Sequence, residues 1–231
     1  MEKKNIVLLH GALGTTAQLT KLKKLLLPQF NVYSFNFEGH GDNESHLAFS
    51  IELFTLNILN FLEENSIQNT SFFGYSMGGY IALNFAKEYP EKVDRLVTLG
   101  TKFNWSKAAT KLELEKLNPE LIEKKVPHFA EKLRKEHFLN DWKDLLNKTA
   151  SFMNSLSEGK KLEDKDLHEI NHPILIGIGS FDNMVSLSES KHAADQLKNG
   201  ELSVLDGFHH PLEKNDQNVL AEKIEKFLLN K

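Results

Sequence analysis

Apolar positions along the chain alternate between two rhythms. Short, nearly unbroken apolar runs at residues 6–9, 32–37, 70–74, 95–99, 174–178 and 202–205 predict six strands. Between them, residues 16–27, 51–64, 77–89, 188–198 and 216–229 carry the spacing of helices with one buried face. In the second helix Leu53, Phe54, Asn57, Ile58, Phe61 and Leu62 recur at i, i+3 and i+4, and Ser50 stands at the N-cap position. Pro28 and Pro90 sit just past predicted helices, where a helix cannot continue. Val7-Leu8-Leu9 and Ile174-Leu175-Ile176 are apolar throughout rather than alternating, as expected of parallel strands covered on both faces.

One interval breaks the rhythm. Residues 103–167 read as several helices rich in lysine and glutamate and punctuated by Pro119 and Pro127. Leu133, Trp142, Leu146 and Phe152 are among their apolar positions. We read this stretch as a helical insertion after the fourth strand, with residues 1–102 and 168–231 forming the core.

Composition narrows the function classes. The 231 residues carry 40% hydrophobic and 26% charged side chains, the balance of a folded globular protein of one domain. The absence of cysteine excludes disulfides, thiolate metal sites and cysteine nucleophiles. A net charge of −4 argues against nucleic-acid binding. No run of about 18 apolar residues suggests a membrane span, and Met1-Glu2-Lys3-Lys4 does not open a signal peptide, so the expected location is the cytoplasm. Only Arg95 and Arg134 supply guanidinium groups, which leaves no set of bidentate clamps for a polyanionic substrate.

The sharpest chemical signal is Gly74-Tyr75-Ser76-Met77-Gly78-Gly79, a serine between glycines where a strand passes directly into a helix. Such a turn needs residues without Cβ on either side, leaves Ser76 projecting at the strand's C-terminal end, and aims the Met77 N–H at the space above it. A serine nucleophile needs a base, and the base needs an orienting group. Asp182 follows the fifth strand, and His209 and His210 follow the sixth, all predicted at the same sheet edge as Ser76.

These segments, with His10-Gly11-Ala12-Leu13-Gly14 and Gly39-His40-Gly41-Asp42, resemble the motifs of the α/β-hydrolase superfamily in family order. Asn43 stands where a serine is often found. The resemblance implies an α/β-hydrolase fold, a mostly parallel six-stranded sheet flanked by helices, with the insertion as a helical cap. It further implies a catalytic triad of Ser76, His210 and Asp182, with the Ala12 and Met77 amides as oxyanion hole and His10 bracing its loop. His209 fits one common spacing, but His210 fits two and is preferred. The expected activity is hydrolysis of a small carboxylic ester or related acyl compound, without cofactor or metal, by a monomer or homodimer. The same triad serves carbon–carbon bond hydrolases and lyases, and the same fold serves non-catalytic small-molecule receptors.

His168-Glu169-Ile170-Asn171-His172 spells a zinc-peptidase pattern, but Pro173 disfavours helical geometry at His172, and metal binding is not expected there. Gly11-Ala12-Leu13-Gly14 lacks the lysine of a phosphate-binding P-loop.

Overall fold

The computed structural model describes residues 3–229; the outer bounds assigned to the core, residues 1 and 231, lie outside them. Six strands, β1 (Lys4–Leu9), β2 (Phe30–Ser34), β3 (Thr70–Tyr75), β4 (Val93–Leu99), β5 (Ile174–Gly179) and β6 (Gly200–Leu205), form one sheet in the order β2-β1-β3-β4-β5-β6. Every pairing between them is parallel.

The unbroken apolar strands are explained by burial on both faces. Val7, Leu9, Phe72, Leu96, Ile174 and Ile176 pack on one side, against α2 (Ile51–Glu64), α3 (Met77–Glu88) and α9 (Leu187–Gln196). Their sequence neighbours Ile6, Leu8, Phe73, Val97 and Leu175 pack on the other, against α1 (Thr20–Leu26) and α10 (Gln217–Leu228). The period-two geometry of a strand sends successive side chains to opposite cores.

Two boundaries differ from the sequence expectation. The second strand ends at Ser34, its last residue paired with β1, so Phe35 and Phe37 leave the ladder. Their rings join an aromatic cluster with Phe54 and Phe61 instead, and the Phe37 N–H donates to a histidine rather than to a strand. The first helix begins at Thr20 because Thr16–Leu19 winds as a tighter 3-10 turn, opened by the Thr15 hydroxyl accepting from the Ala17 N–H.

Between β4 and β5 lie α4 (Lys107–Glu115), α5 (Pro119–Lys125), α6 (Pro127–Glu136), α7 (Trp142–Ser155) and α8 (Asp164–Glu169). Ile122, Ala130, Leu133, Trp142 and Leu146 make a small core of their own. Trp105, Leu145, Phe152, Leu156 and Leu167 instead share the core of the sheet. None of the described helices is long and apolar enough to cross a membrane.

The strand order fixes where chemistry can gather. The chain steps outward from β1 to β2, then crosses back to β3, so β1 and β3 are neighbours whose C-terminal ends meet at Leu9 and Gly74. In open parallel sheets that crevice is where ligands bind.

Candidate active site

At the end of β3 the backbone turns on one residue. Ser76 has φ 51° and ψ −115°, a conformation that L-residues rarely adopt. Its N–H donates to the Leu99 carbonyl at 2.9 Å. Its carbonyl accepts from the Gly79 and Tyr80 amides and from the Thr101 hydroxyl, at 3.1, 3.2 and 3.1 Å. Four bonds therefore hold a strained residue in place. Glycine is required beneath it, since a Cβ on Gly74 would lie 2.4 Å from the Gly79 Cα.

The loops after β5 and β6, neighbouring strands paired at Gly179 and Leu205, bring up a carboxylate and an imidazole. His210 Nδ1 lies 2.8 Å from Asp182 Oδ2, and both side chains are almost wholly buried. The other carboxylate oxygen, Oδ1, accepts the Met184 and Val185 amides at 2.8 and 2.9 Å. Burial pushes the Asp182 carboxyl up, but the His210 bond and charge and the two amides outweigh it, so it lies below the ordinary carboxylate range. An ionised acceptor at Oδ2 places the proton on His210 Nδ1 and leaves Nε2 as the basic nitrogen.

His209 does not share this environment. It is exposed, with its ring beside Phe181 at 5.6 Å, while Asn215 ties down its backbone N–H and carbonyl. Of the two adjacent histidines, His210 is the one bonded to Asp182.

Ser76 and His210 line one cavity, together with Ala12 and Met77. Among the described residues, neither the Ala12 nor the Met77 N–H donates to a protein acceptor. The Ala12 loop presses against the serine: an ideal Cβ on Gly11 would lie 3.3 Å from the Ser76 Cβ. The remaining walls are largely apolar, built from Tyr80, Trp105, Phe152, Met153, Leu156, Met184 and Val185.

One support was not visible in the sequence pattern, and a second was visible only in part. The Tyr75 hydroxyl donates to the His210 carbonyl at 2.8 Å, so the residue beside the serine also anchors the histidine loop. Burial pushes its phenol up, keeping it protonated as a donor.

The second support is a cluster of buried histidines. His10 and His40 lie 5.1 Å apart between ring centroids, and His40 and His137 lie 5.7 Å apart. The Phe37 N–H donates to His10 Nε2 at 3.1 Å, so Nδ1 carries the proton and donates to the Gly11 carbonyl at 2.8 Å. His137, just past α6, accepts the Gly41 N–H on Nδ1 at 2.8 Å and donates from Nε2 to the Leu13 carbonyl at 3.1 Å. Burial is the main cause that lowers all three rings below the usual histidine range, His10 to about 4. His10 had a signal in the motif after β1; His137 had none.

The zinc-peptidase letters do not form a site. Helix α8 ends at Glu169, so His172 lies beyond it; His168 Nδ1 bonds the Asp164 carbonyl, and His172 Nε2 bonds that of Pro90. Among the described residues no group of three or more histidine, aspartate or glutamate side chains could hold a metal ion.

A parallel sheet with a strained serine after β3, an aspartate after β5 and a histidine after β6 defines the α/β-hydrolase fold. The match is specific: the family model described as serine aminopeptidase, S33, covers residues 1–218, and the chain belongs to that family of hydrolases. It is 24% identical over 248 residues to "Putative carbamate hydrolase RutD" of Agrobacterium fabrum, spanning 99% of this chain and 94% of that protein. NosK from Streptomyces actuosus shares the fold at a TM-score of 0.82 and 18% identity, with 99% of each chain covered. The 2-hydroxy-6-oxo-6-phenylhexa-2,4-dienoate hydrolase of Rhodococcus sp. strain RHA1 shares it at a TM-score of 0.80 and 21% identity, covering 99% of this chain and 91% of that one.

Proposed function

We propose that the chain is a serine hydrolase acting on a small carboxylic ester through an acyl-enzyme. The observation that carries this reading is the buried Asp182–His210 pair beside a serine held at positive φ on the same cavity wall. In this mechanism His210 Nε2 takes the Ser76 proton as Oγ attacks the acyl carbonyl. Asp182 keeps the imidazole in the tautomer that accepts at Nε2 and stabilises the imidazolium. The developing oxyanion is met by the Ala12 and Met77 amides, each worth roughly 2.7–4 kcal/mol in the transition state. His210 then passes its proton to the leaving alcohol, and water attacks the acyl-serine by the same route.

The ester preference rests on the mostly apolar wall of the cavity. In this reading residues 103–167 act as a cap over the sheet edge, and they supply Trp105, Phe152, Met153 and Leu156 to that wall. Turnover of p-nitrophenyl acetate and butyrate by wild type and Ser76→Ala tests the proposal, together with fluorophosphonate labelling read by mass spectrometry. The expected result is a label on Ser76 and a loss of at least about 10³-fold in kcat for the variant. Unchanged turnover would overturn the mechanism.

A further inference from the structure

One wall of the cavity holds polar groups that acyl transfer does not use. Lys102 and Trp105 lie between β4 and α4, and Glu113 is on α4; all three line the cavity that Ser76 borders. The Lys102 ammonium is mostly buried and already matched: it donates to the Met184 carbonyl at 3.1 Å and lies 3.5 Å from Glu113 Oε1. Glu113 in turn accepts Lys116 at 2.9 Å through Oε2. Glu113 is thus shared between Lys102, which lines the cavity, and the more exposed Lys116.

Trp105 is different. It is 7% exposed, and its indole Nε1 is buried with no hydrogen-bond partner in the protein. An indole N–H can only donate, and a buried donor without an acceptor is unfavourable, so a ligand in the cavity whose acceptor displaced the side chains covering Nε1 would relieve that cost. The ring is held edge-on to Tyr80 at 6.4 Å, and the Tyr80 hydroxyl accepts the Leu162 N–H at 2.6 Å.

We propose that Trp105 Nε1 is the donor of a polar subsite that binds an uncharged oxygen acceptor, a ketone or amide carbonyl, on the acyl portion of the substrate. An uncharged acceptor is favoured over a carboxylate because the lining cation, Lys102, is already engaged by Glu113 and the Met184 carbonyl. This inference rests on reading the cavity as the acyl site of Ser76, and it turns a plain apolar ester pocket into one selective for oxo- or amido-acyl esters.

Two measurements test it, one of which needs no catalysis. In Ser76→Ala protein labelled with 15N, the Trp105 indole resonance is identified by its loss in a further Trp105→Phe variant. It is then followed while methyl 4-oxopentanoate and methyl 6-oxoheptanoate are titrated against methyl pentanoate and heptanoate. The expected result is a downfield shift of that proton with at least one oxo ester and not with its alkyl counterpart. In the wild-type enzyme the kcat/KM ratio of p-nitrophenyl oxo ester to alkyl ester should exceed unity. Trp105→Phe should lower that ratio about tenfold, as expected for one lost buried hydrogen bond. Equal or absent indole shifts, or a ratio that Trp105→Phe leaves unmoved, would overturn the subsite. An oxo-specific shift in a protein that turns over no ester would keep the subsite and remove the serine mechanism.

Discussion

Gly100 shows how little space surrounds the Asp182–His210 pair. It sits at φ +63°, where an L side chain is strained, and a Cβ there would lie 3.2 Å from both Asp182 Oδ2 and His210 Nδ1. Gly100→Ala should therefore separate the pair and lower kcat on p-nitrophenyl butyrate about 10–100-fold, since a small misplacement is costly in catalysis. Its melting temperature should fall only modestly, and a variant with wild-type kcat would show that the pair tolerates displacement. Short local motifs mark Ser76, Asp182 and His210, so each could be singled out as a candidate from the sequence. The choice of His210 over His209 became geometric only when one ring was buried beside Asp182 and the other left exposed. Tyr75 could not be read, because its bond reaches a carbonyl 135 residues away.

At the level of elements, the segment between β4 and β5 is tied to the rest of the chain by more than shared apolar packing. His137 joins it to two loops of the core, to Gly41 and to Leu13, and Leu13 has φ 58° directly beside Ala12. His137→Ala leaves one buried donor and one buried acceptor unpaired, each costing roughly 1–3 kcal/mol. The expected result is a lower denaturation midpoint together with about a tenfold fall in kcat, as the Leu13 segment loses its anchor and the adjacent Ala12 amide shifts. A stability loss without any change in kcat would show that the insertion does not position that loop. The elements themselves were largely legible: the helix over Ile51–Glu64 matches the periodicity residue for residue, and all six strands were found. The misses lie where side chains replace the backbone ladder, as at Phe35 and Phe37, or where a tighter turn precedes a helix, as at Thr16–Leu19.

For the whole molecule, three buried neutral histidines make stability depend on acidity. His10 titrates near 6.5 when unfolded and near 4 when folded, so between these values the unfolded chain binds more protons. Its contribution is complete above about pH 6.5 and is lost as the pH falls towards 4. At about 1.36 kcal/mol per unit, that amounts to roughly 3 kcal/mol from this ring, with His40 and His137 displaced in the same direction. Denaturant unfolding at pH 7.5 and pH 4.5 should show the loss, and equal stability at both would contradict burial of the rings in neutral form.

The cavity joins two unlike materials. Around Ser76 the backbone is fixed by bonds from four directions. In the same lining, Met153 and Met184 contribute unbranched thioethers that repack around ligands of different shape, although the Met184 backbone is pinned by Asp182 and Lys102. A stiff chemical pole sharing a cavity with a compliant wall lets substrate range drift by single exchanges at 153 or 184 while the reaction stays the same. Efforts to retune the hydrolase for new substrates should begin at those two positions.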